Sequence, residues 1–416
     1  MSDLQATVAE GKRVFFALFA VASAAVYASA QQSRRRREAE CKKREQLMLS
    51  PEVLRRESID HLMKSGACLD NLLTYNPDAK PPKGFPANVY RDHQLAATAC
   101  TRGGTFNELP ASLAYQIFTY CEYHDVVKCQ MTCKKWRTFL SPLRLDRAFL
   151  KRCAWRGYDE HVRGHTWFAI AQTKPVTSKR RKMYASLLEQ KSPVNDEIER
   201  DVGRTLIHYA AIGNEQDAVS LLSNLLKAYA VHDPEVGYTQ GMNFVAAFFL
   251  TKLPELDAYF LYYDIMVSSK FEIRSLFTKG LPGLKLRQFQ FQRLFEWHLP
   301  QLAEHFAQQL ITADMFVTEW YMTLFTYRAI PPETTARIWD MFLVDGWKVL
   351  HRVAIAILEL SAATLLDQDF EGIIQYLKFL PDQGIFQPRL LLSHAQEIKI
   401  TNRSLHRLTV QFYQPR

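Results

Sequence analysis

The chain has 416 residues, of which 48% are hydrophobic and 12% aromatic, and carries a net charge of +9. That is enough for two or three domains with sizeable apolar cores, and it excludes wholesale disorder. The basic excess is local: residues 31–45 hold seven basic and three acidic side chains, which points to a patch at one end and away from a nucleic-acid-binding face.

The first element is "VFFALFAVASAAVYASA" (14–30), seventeen residues without a charge. As a helix it spans roughly 26 Å, slightly less than the ~30 Å hydrocarbon core of a bilayer. Lys12 and Arg13 at one end, and Arg34 to Arg37 at the other, can snorkel to the interfaces. Three readings compete: a signal peptide cleaved after Ala28-Ser29-Ala30, a buried core helix, and a membrane anchor. Asp3 and Glu10 speak against the first, and the lack of a polar face speaks against the second. Residues 1–45 are therefore read as an anchor with its basic flank, and the positive-inside rule places everything after it in the cytosol. An endomembrane and the mitochondrial outer membrane both suit such a short, alanine-rich anchor.

Residues 46–105 follow as a helical segment and a linker. Ser50-Pro51 is a good helix start, a cap followed by proline in the first turn, with the helical pattern continuing to residue 73. Pro77, Pro81, Pro82, Gly84, Pro86, Gly103 and Gly104 then mark 76–105 as the linker. All seven cysteines lie at or before Cys153, with no CxxC pair and no Cys/His spacing of the zinc type. They read as small buried hydrophobes in a reducing compartment, with no metal site.

From residue 106 onward the pattern is helical. In "DAVSLLSNLLKAYA", Val219, Leu222 and Leu226 form an apolar stripe widened by Leu221 and Leu225. "QLAEHFAQQL" repeats the idea with Leu302, Phe306 and Leu310, and "RVAIAILEL" (352–360) is apolar nearly all round, as a buried central helix would be. Asp345-Gly346 follows a helical run, where glycine reads as a C-terminal cap. Alternating strand patterns are missing, and the expected fold is all-α.

Within 106–145 the segment "FNELPASLAYQIFTYCEYHDVVKCQMTCKKWRTFL" places Leu109-Pro110, Leu113, Ile117, Asp125, Val126, Cys129 and Cys133 ahead of Lys134-Lys135-Trp136-Arg137. Pro110 suits a first helical turn, and Leu113 and Ile117 stack one turn apart as a docking stripe. An ordinary helical hairpin capping the next domain has the same pattern. The spacing resembles an F-box, although Cys121 stands where that family has leucine. The resemblance implies binding to the adaptor subunit of a cullin-based ubiquitin ligase through Leu109, Pro110, Leu113, Ile117 and Trp136.

Four further elements recur in order. "RGYDEHVRGHTW" sets Arg163-Gly164 ahead of Trp167, and "IERDVGRT" gives Ile198, Asp201, Arg204 and Thr205 at an I-x-x-D-x-x-R-T spacing. "GYTQGMN" carries Tyr238, Gln240 and Gly241, while "FVTEWYMTLF" and "ARIWDMFLVDG" supply Trp320, Trp339 and Asp340. Singly, each reads as core, turn or solvated charge. As an ordered set they resemble the TBC domain, the helical GTPase-activating domain for Rab-type small GTPases, over about 60% of the chain.

The resemblance implies a large two-lobed helical domain over 146–412, a Rab-type GTPase in its GTP form as partner, and a role in vesicle trafficking. It makes Arg204 an arginine finger and Gln240 a glutamine finger, both completing the partner's active site, with GTP and Mg²⁺ belonging to that partner. An arginine suits the task because it is always charged and forks onto phosphate oxygens. Glutamine offers a donor and an acceptor to the attacking water. Asp201 would orient the guanidinium from one turn away, and Tyr238 and Gly241 would set the loop that projects Gln240. Arg163, Trp167, Trp320, Trp339 and Asp340 read as structural. Two departures bear on Arg204: Leu206 and Ile207 follow Arg204-Thr205 where family members often have an aromatic and a proline, and Gly203 loosens the helix by ~1 kcal/mol relative to alanine. The alternative is a ubiquitin-ligase substrate adaptor whose helical domain holds a Rab or another client without catalysis.

Overall fold

The computed structural model describes residues 115, 117–132, 134–206, 215–327, 330–380 and 384–414. The candidate anchor, the 46–73 helix, the 76–105 linker, and Leu109, Pro110 and Leu113 lie outside them. Among the described residues there is no strand, so the all-α expectation holds.

Two short helices, α1 (Tyr123–Thr132) and α2 (Lys134–Leu140), come first and pair with each other. Next are α3 (Arg147–Arg156), capped by Asp146, and α4 (Glu160–Ile170), capped by Asp159. These caps accept a backbone N–H from Phe149 at 2.6 Å and from His161 at 2.9 Å, satisfying donors that a helix start leaves unpaired. The segment before α1 is joined to α3: Arg152 donates to the Thr119 carbonyl at 3.0 Å and Arg156 to that of Tyr120 at 3.1 Å. Tyr123, Phe149 and Tyr158 add a shared ring cluster.

The middle of the chain supplies α5 (Ser178–Leu188), α6 (Asn195–Leu206), α7 (Glu215–His232), α8 (Met242–Leu250) and α9 (Glu255–Val267). In α7 the buried stripe runs through Ala218, Leu222, Leu225, Leu226 and Tyr229. Val219 is a correction to the sequence reading, because the helix rotates it out to solvent and Ala218 takes the inward position.

Then follow α10 (Pro282–His298), α11 (Pro300–Gln308), α12 (Asp314–Met322), α13 (Pro332–Asp345), α14 (Trp347–Leu366), α15 (Phe370–Phe379), α16 (Pro388–Glu397) and α17 (Asn402–Tyr413). α10, α11, α13 and α16 each open on proline, which has no N–H to leave unpaired there. Leu302 and Phe306 of α11 are buried as expected, but Leu310 is exposed: α11 stops at Gln308, and Leu310 has a left-handed backbone with φ 58°. Gly346 caps α13 with φ 70°, its N–H returning to the Phe342 carbonyl at 2.8 Å. α14 is long and apolar enough to cross a membrane by length and composition, yet it is mostly buried and packs against α10, α11, α13 and α16. It is the central core helix that "RVAIAILEL" predicts.

Candidate functional site

The sequence of α6 sorts its residues by face. Ile198, Asp201, Val202 and Thr205, spaced at three and four residues, are buried against the body, while Gly203 and Arg204 face outward. α6 packs on both α7 and α8, which fixes its rotation. A Cβ placed on Gly203 would meet nothing within 4 Å, so this glycine answers no packing need.

Gln240 sits in the loop between α7 and α8 and is exposed. Gly241, which follows it and caps α8, has φ 108°. A side chain there would be strained by the backbone and would meet the Met322 carbonyl oxygen at 3.0 Å. The loop is thus seated against the end of α12, where Leu324 and Phe325 both take left-handed backbone and the Phe325 N–H turns back to the Trp320 carbonyl at 2.9 Å.

Two hydrogen-bonded bridges tie Arg204 to the Gln240 loop. The buried Asp201 carboxylate accepts from Arg204 Nη2 at 2.6 Å through Oδ1, and from the Tyr238 hydroxyl at 2.7 Å through Oδ2. Burial, and then the bond to Asp201, push the Tyr238 hydroxyl far above its ordinary pKa, so it remains a donor. On the other side Thr205 donates to the Asp201 carbonyl at 2.6 Å, and its oxygen accepts from Asn243 Nδ2 at 2.6 Å. Asn243 Oδ1 in turn accepts the Gly241 N–H at 2.9 Å. Every polar atom of the second bridge is used, and Asn243 is fully buried. The exposed guanidinium, and the loop that carries the exposed Gln240, are therefore held by one polar network rooted in the core.

The structure brings Ile198, Asp201, Arg204, Thr205, Tyr238, Gln240 and Gly241 into this one region. Asn243 was missed, and it did leave a signal, being the single polar residue in "MNFVAAFFL". The contribution of the Met322 carbonyl could not be read from the sequence, because it comes from a segment some eighty residues away.

Arg163, Trp167, Trp339 and Asp340 form a separate buried cluster. Asp340 accepts from Trp167 Nε1 at 2.7 Å, Arg163 Nε at 3.2 Å and the Tyr158 N–H at 3.1 Å. Burial raises the Asp340 carboxyl to about 6, against the opposing pull of Arg163 and of the Trp167 donor. The Trp167 and Trp339 rings lie 6.2 Å apart and share Phe248 and Phe249 as neighbours. This ties α4, α8 and α13 together, the structural part expected of these residues. Trp320 makes its ring contacts with Phe316 and Phe325 instead. Near α1 the Trp136 ring meets Phe118 at 5.0 Å, whereas Ile117, Tyr120 and Met131 are exposed. Among the described residues no group of three or more His, Cys, Asp or Glu side chains could hold a metal ion.

Comparison with known proteins gives two family matches: the Rab-GTPase-TBC domain over residues 160–366 and an F-box-like domain over 106–150. Among curated relatives, the chain is 30% identical over 268 residues to the human ecotropic viral integration site 5 protein homolog, covering 63% of this chain and 32% of that one. It is likewise 30% identical over 261 residues to the Rab GTPase-activating protein eat-17 of Caenorhabditis elegans, covering 62% and 29%. The chain thus spans about a third of the length of these relatives. Among solved structures, the Ypt/Rab-GAP domain of Gyp1p matches with a TM-score of 0.52 at 20% identity, covering 64% of this chain and 94% of that one. The Chlamydomonas flagellar RabGAP TBC domain matches at 0.51 and 20%, covering 77% and 99%. At such identities these two likenesses establish the fold.

Proposed function

This chain carries a domain of the Rab-GTPase-TBC family together with an F-box-like segment, and from that premise we propose that it is a GTPase-activating protein for a Rab-type small GTPase. Arg204 and Gln240 act as its two fingers. The observation that carries the proposal is the shared network: Asp201, Tyr238, Thr205 and Asn243 hold from behind the Arg204 guanidinium and the loop that presents Gln240, two exposed side chains of the chemistry that GTP hydrolysis lacks.

Phosphoryl transfer needs negative charge neutralised and a water held in line. Arg204 supplies the charge to the transferring phosphoryl group of the partner's GTP. Asp201 holds the guanidinium through one nitrogen, leaving the others to fork onto phosphate oxygens. Gln240 offers its carbonyl to the water proton and its N–H₂ to an oxygen of the nucleotide, with GTP and Mg²⁺ both bound by the partner. An arginine supplied in trans is worth ~10³–10⁵ in rate. Rigidity matters because donors fixed in advance need no reorganisation in the transition state.

The F-box-like segment adds a second partner, the adaptor subunit of a cullin-based ligase, supported by the exposed Ile117, Tyr120 and Met131 of that segment and by its Leu109-Pro110 sequence motif. The charge-free run 14–30 with its arginine flank supports a membrane anchor that leaves these domains in the cytosol. The test is single-turnover GTP hydrolysis across a panel of Rab proteins with the full-length chain. Acceleration of at least one Rab is expected. Binding of Rab·GTP with no acceleration on any member would sink catalysis and leave the substrate-adaptor reading.

A further inference from the structure

Gln240 stands between two glycines of positive φ, Gly237 at 59° and Gly241 at 108°. A Cβ on Gly237 would meet its nearest neighbour, Val194, at an ordinary 3.8 Å, so this glycine serves the turn of the backbone and not close packing. The loop can pivot there unless the stretch before it is held. Asn243 and the Met322 carbonyl seat the far end of the loop, and the near end needs an anchor of its own.

A short 3₁₀ turn, Arg274–Leu276, supplies it. Arg274 forks onto Asp233, the residue after α7, with Nε donating to Oδ2 at 2.7 Å and Nη2 to Oδ1 at 2.8 Å. Nη2 also donates to Glu235 Oε2 at 2.6 Å. Asp233 in turn accepts the Gly237 N–H on its main-chain carbonyl at 2.8 Å and the Tyr229 hydroxyl on its carboxylate at 3.0 Å. Phe277, directly after the turn, accepts the Thr239 hydroxyl on its carbonyl at 3.5 Å. One turn thus grips the loop at Asp233, at Glu235 and at Thr239, the neighbour of Gln240.

Helix capping alone does not account for this arrangement. A carboxylate at the end of α7 faces the negative pole of the helix dipole, whereas glycine or asparagine closes a helix without calling for a cation. The acid at 233 is explained as the socket for Arg274. We infer that Arg274 is a positioning residue for Gln240, setting the entry of the loop as Asn243 sets its exit. The inference rests on the reading of Gln240 as a finger.

The test is a double-mutant cycle on the full-length chain: wild type, Arg274→Gln, Gln240→Ala and the double variant in single-turnover hydrolysis of a responsive Rab·GTP. A far-UV CD melt sets an assay temperature at which all four are folded. Arg274→Gln is expected to lower the rate at saturating activator by about tenfold, as a loop displaced by less than an ångström would. The half-saturating concentration should stay within about twofold of wild type. In the Gln240→Ala background the same change should cost no more than about twofold of the residual rate, since no amide remains to be misplaced. Glu235→Ala removes the outer bond from an exposed carboxylate and leaves Asp233 paired, so the fold survives. It should show a smaller loss with the same dependence on Gln240. A full rate at saturation in Arg274→Gln, or an equal loss with and without Gln240, overturns the inference and leaves the GTPase-activating reading intact. A wild type that accelerates no Rab overturns that reading, and the inference with it.

Discussion

Asn243→Ala probes the network behind the two fingers without touching either. Asn243 is fully buried, donating to Thr205 Oγ1 at 2.6 Å and accepting the Gly241 N–H at 2.9 Å. Truncation removes both bonds at about 1 kcal/mol each and strands the buried Gly241 N–H, which adds ~1–3 kcal/mol. The fold should therefore lose about 3–5 kcal/mol in urea unfolding. The catalytic effect is separate: with its anchor gone the Gln240 loop shifts, and a displacement of the order of 1 Å costs roughly 10²-fold in rate. Single-turnover hydrolysis at saturating activator should show that loss with little change in the affinity for Rab·GTP. Asn243→Asp should not rescue it, since a carboxylate demands a donor from the Thr205 hydroxyl, which is already given to the Asp201 carbonyl. An Asn243→Ala protein that is destabilised yet fully active at saturation would refute the link between this side chain and the position of Gln240.

Other substitutions test neighbouring parts. Gly203→Ala should raise stability by ~1 kcal/mol in the same urea assay, because the position is helical, exposed and open. Gly241→Ala should do the reverse, by about 1–3 kcal/mol, since φ is 108° and the new Cβ would press on the Met322 carbonyl. Asp340→Ala strands the buried Arg163 Nε, Trp167 Nε1 and Tyr158 N–H donors, although Arg163 keeps its ion pair with Glu160, and should cost about 3–5 kcal/mol, read as a lower urea midpoint. On the acid side, the hydrogen bonds from Arg274 hold the Asp233 carboxyl below its ordinary 3.8. Its contribution to stability is present above 3.8 and is lost as pH falls through the lower folded value. Arg274→Gln should accordingly destabilise the protein above pH 4 and lose that difference at lower pH, followed by CD.

What could be read from the sequence followed local rules. Helix type, the Gly346 cap and the buried "RVAIAILEL" run depend on periodicity and on single residues with strong backbone preferences, and these emerge as expected. The pairing of Asp201 with Arg204 needed only helical spacing. Val219 and Leu310 went astray because the rotation of a helix, and the residue at which it stops, are set by partners distant in sequence. The same holds for the site. The Tyr238–Asp201 bond crosses 37 positions and the Asn243–Thr205 bond crosses 38, so an isolated reading of either segment shows a polar residue without a partner.

The central claim is that Arg204 and Gln240 together complete the active site of another protein. Its most direct measurement is the single-turnover hydrolysis rate of a responsive Rab·GTP at saturating full-length wild type, Arg204→Lys and Gln240→Ala, with the affinity for Rab·GTP measured alongside. Both variants should bind within a few-fold of wild type. Arg204→Lys should lose stimulation by about 10³-fold or more, because lysine cannot fork onto the phosphate oxygens. Stimulation that survives in either variant at near wild-type rate would contradict the two-finger account.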